Sequence, residues 1–499
     1  MKQPCNPLHS SNNKKKFIVH CSLFIILLCG CSQAVIYPGP EGEEASPDFK
    51  VKVDGKEVFV YRARVSAYPE NQVWPGYQRP VEQTEQASFC YFDADQPVTV
   101  EIESQTKINR LVIRPLSKDI HPTVNDRTIT FTLTEPCQLA VEVNDYHQAL
   151  HLFANAIETN PVKKSDENTI YFGPGLHYPG IIEVKDNQSI YVAGGAVVHT
   201  LIKGNHIKNV TIRGRGILDG SSFERNAGNI IQIENSEQIT VEGVILRDPP
   251  SWTFTLFDSQ NITIDNVKLI GLWRYNADGI DICNSNNVKV KNSFVRAFDD
   301  CIVLKGLKRK SDSQRNLYDI DVDNCVIWND WGRALEIGAE TVADSIYRCS
   351  FRNNDIIHFV HIALDIQNGD RAHVFDIDFE NIRVEDPITA DFFLGDPQDP
   401  ENVDPFLVAT SGSEVLGHLI WIYLNNGPWS KDDRRGKVYD INFKDIHYTS
   451  AYAPQITLFG YDAAHDVSGV TFDNVTVNGK KVSEGNIQFN NYVKNLIFK

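Results

Sequence analysis

The sequence predicts an all-β protein, a right-handed parallel β-helix preceded by a small β-sandwich. Three observations carry that expectation. From about Tyr171 onward a short apolar–polar unit recurs at intervals of roughly 23 to 32 residues. Asparagine returns at one fixed phase of that unit. Ahead of it, residues 48–158 break into short alternating runs separated by turn residues, the pattern of an antiparallel β-sandwich.

The repeat begins with Asn209-Val210-Thr211-Ile212, Gln238-Ile239-Thr240-Val241, Asn261-Ile262-Thr263-Ile264 and Asn287-Val288-Lys289-Val290. It continues through Asp319-Ile320-Asp321-Val322, Arg348-Cys349-Ser350-Phe351 and Asp376-Ile377-Asp378-Phe379, and ends with Asp440-Ile441-Asn442-Phe443 and Gly469-Val470-Thr471-Phe472. One double-length gap accommodates an extra coil around Ile420-Trp421-Ile422-Tyr423, together with a loop. Alternation within each unit buries one face of each strand. Asn266, Asn292, Asn324, Asn353, Asn381 and Asn474 follow at the same phase, which suits a tight turn in left-handed backbone geometry with amides stacked from coil to coil. Leucine-rich repeats and propeller blades share such periods, but there is no leucine consensus and the spacing is irregular. A solenoid needs its open end covered, and the sandwich is available to do so.

The chain divides into residues 1–30 as an export signal, 31–47 as a linker, 48–158 as the sandwich and 159–499 as the β-helix. Lys14-Lys15-Lys16 supplies the positive start of the signal, and Phe17 to Leu28 an apolar run too short to span a bilayer comfortably. Leu28-Cys29-Gly30-Cys31 resembles a bacterial lipobox, which makes Cys31 the lipidated first residue of the mature protein. The competing reading is an ordinary signal peptide cut near the same place, giving a secreted protein. On the first reading the protein is an outer-membrane, periplasmic or cell-surface lipoprotein, meeting the membrane only through its N-terminal lipid. Lys308–Asn316 and Asp386–Asp404 read as irregular loops interrupting the coils.

A formal net charge of −17 over 499 residues argues against nucleic acid and polyanions as partners, since both require clustered lysine and arginine. Of the cysteines, Cys90, Cys137, Cys283, Cys301, Cys325 and Cys349 lie beyond the signal. No spacing among them suggests zinc, and no cofactor is expected. Cys90 and Cys137 are the pair open to a disulfide; the others sit in strand-like repeats, where buried thiols are the expectation.

The chemistry concentrates in Asn276-Ala277-Asp278-Gly279-Ile280-Asp281 and Phe298-Asp299-Asp300-Cys301. Asp278 and the Asp299-Asp300 pair are separated by about one repeat, and strands of neighbouring coils lie about 4.8 Å apart. Three carboxylates so crowded cannot all stay ionised cheaply; one is expected to hold a proton and serve as a general acid. Aspartates at β-helix turns also serve simply as solvated or capping groups, but three at one coil's spacing beside a glycine fit hydrolysis of a glycosidic bond.

Tyr171-Phe172-Gly173-Pro174-Gly175, Val192-Ala193-Gly194-Gly195-Ala196-Val197-Val198 and Gly214-Arg215-Gly216-Ile217-Leu218-Asp219-Gly220 resemble the entry of the polygalacturonase-like β-helix glycosidases, family 28, of the pectin-lyase-like solenoid type. Asn276-Ala277-Asp278 looks like their Asn-Thr-Asp element and Asp299-Asp300 like their paired aspartates. Trp273 to Asp281 and Val326-Ile327-Trp328 resemble more closely the sister family 49 of dextranases and isopullulanase, whose members carry an N-terminal β-sandwich. The resemblance implies a cofactor-free inverting hydrolase of a polysaccharide or oligosaccharide, with Asp299 as general acid and Asp278 and Asp300 positioning and activating water.

The departures bear on substrate. Where polygalacturonases carry Gly-His-Gly, this chain has Gly332-Arg333-Ala334; where they carry Arg-Ile-Lys, it has Asp365-Ile366-Gln367. Asp365 in that slot repels a uronate. With the net charge, this favours a neutral, α-glucan-like glycan over galacturonan or another pectic glycan. Lys305, Arg333 and Glu336, with Asn276 and Asp365, are expected to line the sugar-binding cleft. Trp273 and Trp331 are the preferred sugar platforms, ahead of Trp252, Tyr275 and Trp328, although any of these rings also suits the core. Asp281 is left outside the catalytic set. Two other readings fit the same fold: a polysaccharide lyase, which needs a basic residue and usually calcium, and a non-catalytic glycan-binding surface protein.

Overall fold

The computed structural model describes residues 34–67, 81–95, 97–162, 164–308, 316–385, 417–451 and 453–499. The expected signal with Cys31, and most of the two loops around Lys308–Asn316 and Asp386–Asp404, lie outside these residues. Within them, no helix is long and apolar enough to cross a membrane.

Among the described residues, thirty-one strands from Thr169 to Phe498 form one continuous, almost entirely parallel sheet wound into coils. The coils around the middle of the sheet contribute three strands each. Ile280–Cys283, Asn286–Lys291 and Phe294–Ala297 make one coil; Ile302–Gly306, Leu317–Asp323 and Val326–Asn329 make the next. Corresponding strands pair in register, as with Ile280 beside Ile302 and Val288 beside Ile320. Alternation sends Ile280, Ile282, Ile302 and Leu304 inward to one elongated apolar core. Inside it Phe351, Phe379, Phe443, Phe472 and Phe498 stack at centroid spacings of 4.8 to 5.6 Å, so identical side chains in successive coils extend the core along its axis.

The phased asparagines have the expected geometry. Asn266, Asn292, Asn324, Asn353, Asn381 and Asn474 have φ between 51° and 56°, a region where asparagine is favoured among residues bearing a Cβ. The amides connect coils, Asn324 Nδ2 to Asn292 Oδ1 and Asn381 Nδ2 to Asn353 Oδ1, both 2.8 Å. A second left-handed position was not anticipated. The first residue of the repeat unit, including Asn209, Gln238, Asn261, Asn287, Asp319, Arg348, Asp376 and Asp440, also has φ near 55°. Arg348 adopts it while bound to Asp319 of the preceding coil at 2.6 Å.

Ahead of the coils, a six-stranded and a five-stranded sheet enclose a separate apolar core that includes Val51, Val100, Ile102, Phe92, Leu139 and Leu152. The arrangement departs from expectation in three places. The segment read as a linker contributes a strand, Val35–Ile36, paired with Phe92 and Asp93. Leu150–Asn155 runs parallel, not antiparallel, to Thr84–Asp93, because the chain passes through the other sheet between them. The sandwich lies along the flank of the solenoid instead of closing its end: Tyr61, Phe89, Tyr91 and Phe153 pack on Ile217, Ile245, Ile270, Phe294, Val326, Trp328 and Ile357. The outward column of that flank is apolar over many coils and requires cover as much as an end does. All the described cysteines, Cys90 and Cys137 included, are buried free thiols.

Candidate active site

The turns joining the flank strands to the next strand of the wall carry the site. Asp278 ends the turn before Ile280–Cys283, and Asp299 and Asp300 occupy the equivalent turn before Ile302–Gly306. Backbone bonds stack these turns: Gly279 N–H donates to Asp300 O at 2.8 Å and Cys301 N–H to Arg333 O at 2.8 Å. A side chain at Gly279 would place its Cβ 2.3 Å from Cys301 O, so glycine is required for the coils to approach. Asn276 turns the chain at φ 55°.

The wall strands Ile302–Gly306, Arg333–Thr341 and Ile362–Asn368 add Lys305, Arg333, Glu336 and Asp365. Glu336 and Asp365 are direct partners in the ladder, one coil apart. The cleft is lined by Trp252, Asn276, Asp278, Asp299, Asp300, Lys305, Trp331, Arg333, Glu336, Ala339, Glu340 and Trp429. It gathers the three expected aspartates with Lys305, Arg333, Glu336, Asn276 and Trp331. Asp365 sits immediately behind, fully buried and 3.5 Å from Arg333 Nε.

Lys305 is the hub. Its ammonium lies 2.7 Å from Asp278 Oδ2, 2.9 Å from Asp281 Oδ1 and 3.5 Å from Asp300 Oδ2, with the Trp252 ring 4.4 Å away. Arg333 approaches Asp300 at 3.7 Å through Nη1, and its backbone N–H donates to Asp300 Oδ1 at 3.3 Å. Asp278, Asp281, Asp299, Asp300, Glu336 and Asp365 thus share Lys305 and Arg333 in a space almost closed to water. That imbalance sorts the carboxyls. Burial alone would raise Asp300, but Lys305 and Arg333 hold it below the ordinary range. Burial and the neighbouring charge of Asp300 push Asp299 up to about 8. Burial lifts Asp281 to about 6 and Asp365 to about 8. It also raises Asp278 and Glu336 well above their usual range despite the nearby cations. Near neutral pH the site therefore offers an ionised carboxylate, Asp300, beside a protonated acid, Asp299. Those are the two states acid/base hydrolysis requires.

Three placements differ from the sequence reading. Trp273 does not line the cleft: its ring lies against Arg274 and against Arg64 of the sandwich, and its Nε1 donates to Asp248 Oδ1 at 2.9 Å. Trp331 lines the cleft but is only 2% exposed and stacked on Phe298 at 5.5 Å, which leaves little ring face for a sugar. Asp281, left outside the catalytic set, is bound to the same ammonium as Asp278; its place between the inward Ile280 and Ile282, which turns it outward, was the available signal. Trp429, missed altogether, enters from a connection after the extra coil, where no periodicity marked it.

Residues 176–389 match the family model described as glycosyl hydrolases family 28. An "Exopolygalacturonase rpg15" of Rhizopus delemar is 24% identical over 318 residues, 60% of this chain and 72% of that protein. A "Probable endopolygalacturonase D" of Neosartorya fischeri is 24% identical over 253 residues, 50% of this chain and 43% of that one. Among solved structures, "Dex49A from Penicillium minioluteum" superposes with a TM-score of 0.65 at 15% identity, covering 93% of this chain and 96% of that chain, a likeness of fold that includes the N-terminal sandwich. Residues 176–389 are thus similar to glycosyl hydrolases of family 28, and the fold of the chain is similar to that of Dex49A.

Proposed function

We propose that this protein is a glycoside hydrolase that cleaves a neutral, α-glucan-like polysaccharide or oligosaccharide with inversion at the anomeric carbon. Asp299 donates its proton to the departing glycosidic oxygen as the C–O bond breaks. Asp300 accepts the proton of the water that forms the new bond on the opposite face, and Asp278 holds that water. The observation that carries the choice of substrate is the employment of the cleft's cations. Lys305 is engaged by Asp278, Asp281 and Asp300, and Arg333 by Asp300 and Asp365. A uronate entering this cleft meets two cations that are already in contact with the site's own carboxyl groups, Lys305 with Asp278, Asp281 and Asp300 and Arg333 with Asp300 and Asp365, so neither is free to take it.

The curated relatives named above support a second reading, galacturonan hydrolysis. A reducing-end release assay on dextran, pullulan and polygalacturonate, comparing the wild type with Asp299→Asn, separates the two. Activity on a neutral glucan that collapses in the variant supports the first reading. Activity confined to polygalacturonate refutes it and gives Arg333 the task of holding the uronate. The same proposal places the enzyme outside the cytoplasm, anchored through lipid on Cys31. Retention of a Cys31→Ser protein in the membrane fraction would count against that anchor.

A further inference from the structure

Backbone bonds between stacked coils take up the carbonyls on either side of the general acid. Ala297 O accepts from Asp330 N–H at 2.8 Å, Phe298 O from Gly332 N–H at 3.0 Å and Asp300 O from Gly279 N–H at 2.8 Å. The Asp299 carbonyl is held differently. It accepts from a side chain, the Nδ2 amide of Asn329, at 2.7 Å. That carbonyl belongs to the peptide joining Asp299 to Asp300, so one amide holds the link between the two carboxyls.

Asn329 ends the strand Val326–Asn329, one coil after the pair, and is completely buried. Its ladder partner Ala297 belongs to the apolar core, where an amide is costly. Nδ2 reaches the Asp299 carbonyl and, at 3.6 Å, Cys301 Sγ. Among the described residues Oδ1 has no hydrogen-bond partner. Buried amides are ordinarily satisfied at both atoms, and a side chain that only filled this corner would do so without stranding an oxygen. The residue after it is fixed from the flank. The Asp330 carboxyl accepts the Trp328 indole N–H at 2.8 Å and Arg296 Nε–H at 3.2 Å.

We propose that Asn329 is a positioning residue of the acid/base pair: through the Asp299 carbonyl it sets the Asp299–Asp300 peptide, and with it the aim and separation of the two carboxyls. The proposal rests on the acid/base reading of Asp299 and Asp300. Asn329 does not line the cleft, so its effect on the reaction passes through Asp299. An inverting pair works only at a spacing that seats a water between one carboxylate and the sugar. The setting of a single peptide therefore reaches both halves of the chemistry.

Asn329→Leu tests it, since leucine keeps the volume and removes the donor. Its crystal structure decides the point without turnover. The Asp299 carbonyl should turn away from its wild-type direction; a peptide that stays in place overturns the proposal. On whichever of dextran, pullulan and polygalacturonate the wild type cleaves, kcat should fall by about 10- to 100-fold, with KM within about twofold. A loss shared between kcat and KM, with a lower melting temperature, would make Asn329 a structural residue only and also overturn it. Asp299→Asn, assayed alongside, keeps the two possible failures apart. Full activity in that variant refutes the acid/base reading on which the proposal stands. Loss there with full activity in Asn329→Leu refutes the positioning role alone.

Discussion

The Lys305 ammonium stands 2.7 Å from Asp278 Oδ2 and reaches Asp300 Oδ2 at 3.5 Å, so a single cation ties the carboxylates of two successive coils. It is also one of the two groups that hold Asp300 ionised. Replacing Lys305 by Met leaves buried carboxylates uncompensated, a change that ordinarily costs about 3–5 kcal/mol. Asp300, whose folded pKa lies below its unfolded one, contributes stability above the unfolded value and loses it as pH falls through the folded one. Without Lys305 that contribution shrinks. The Lys305→Met enzyme should show a lower urea midpoint at pH 7 and an acid limb of kcat/KM displaced upward by about one unit or more. An unmoved acid limb would separate Lys305 from the ionisation of Asp300.

On the proposed mechanism Asp299, as the general acid, sets the opposite limb. Its active form carries the proton, and burial beside Asp300 raises it to about 8, so kcat/KM should fall as pH rises through that value. A raised carboxyl favours the folded state below the unfolded pKa, and that contribution is lost as pH climbs from there through about 8, so its loss of stability is complete where the loss of activity sets in. Asp299→Asn should reduce kcat by roughly 10²–10⁴-fold. An alkaline limb well above pH 9 in the wild type would remove Asp299 from the role of acid.

Gly332 lies against that acid. A Cβ built on it falls 2.7 Å from Asp299 Oδ1 and 2.6 Å from the Asp299 carbonyl carbon. Gly332→Ala therefore cannot be accommodated without moving Asp299, and a shift of about an ångström in a catalytic group costs on the order of 10²-fold in rate. The expected outcome is a folded enzyme with depressed kcat and little change in binding of the uncleaved glycan. Full activity in Gly332→Ala would show that the turn yields elsewhere.

The coils and the aspartates were readable because each is tied to a period. An alternation of two buries Ile280 and Ile282, and asparagine recurs where the backbone turns left-handed. The Asp278 to Asp299-Asp300 spacing translates directly into adjacency once coils stack. What was not readable has no period. Trp429 arrives from a connection, the sandwich's placement depends on a flank of apolar residues that in sequence look like core, and the role of Trp273 depends on Arg64, more than two hundred residues upstream. The left-handed residue opening each repeat was in plain view, but Gln238 and Arg348 among the asparagines and aspartates masked its geometry.

The asparagine columns separate two contributions to stability. Asn353 has φ 56°; it donates to Asp323 Oδ1 at 2.6 Å and accepts from Asn381 Nδ2 at 2.8 Å. Asn353→Gly loses the amide bonds but keeps the backbone geometry, whereas Asn353→Ala also forces a Cβ into left-handed space, an additional cost of about 1 kcal/mol. Thermal denaturation should rank wild type above Gly above Ala. An Ala variant as stable as the Gly variant would show that the turn has relaxed out of that geometry.

Trp273 separates packing from sugar binding. Its ring is held between Arg64 of the sandwich, 5.7 Å from the centroid, and Arg274, at 4.7 Å, and its indole N–H anchors Asp248. The turn it opens ends at Asp278, so the ring fastens the sandwich to the catalytic turn without facing the cleft. Trp273→Phe keeps an aromatic face for both guanidinium groups and removes the bond to Asp248, which Arg274 still contacts. The loss should be about 1–2 kcal/mol of stability, read as a lower denaturant midpoint, with KM for the glycan within about twofold of wild type, the scatter of a surface change. Arg64→Ala should follow the same pattern from the other side of the contact. A KM raised by about tenfold in Trp273→Phe at unchanged stability would return Trp273 to the sugar-binding surface.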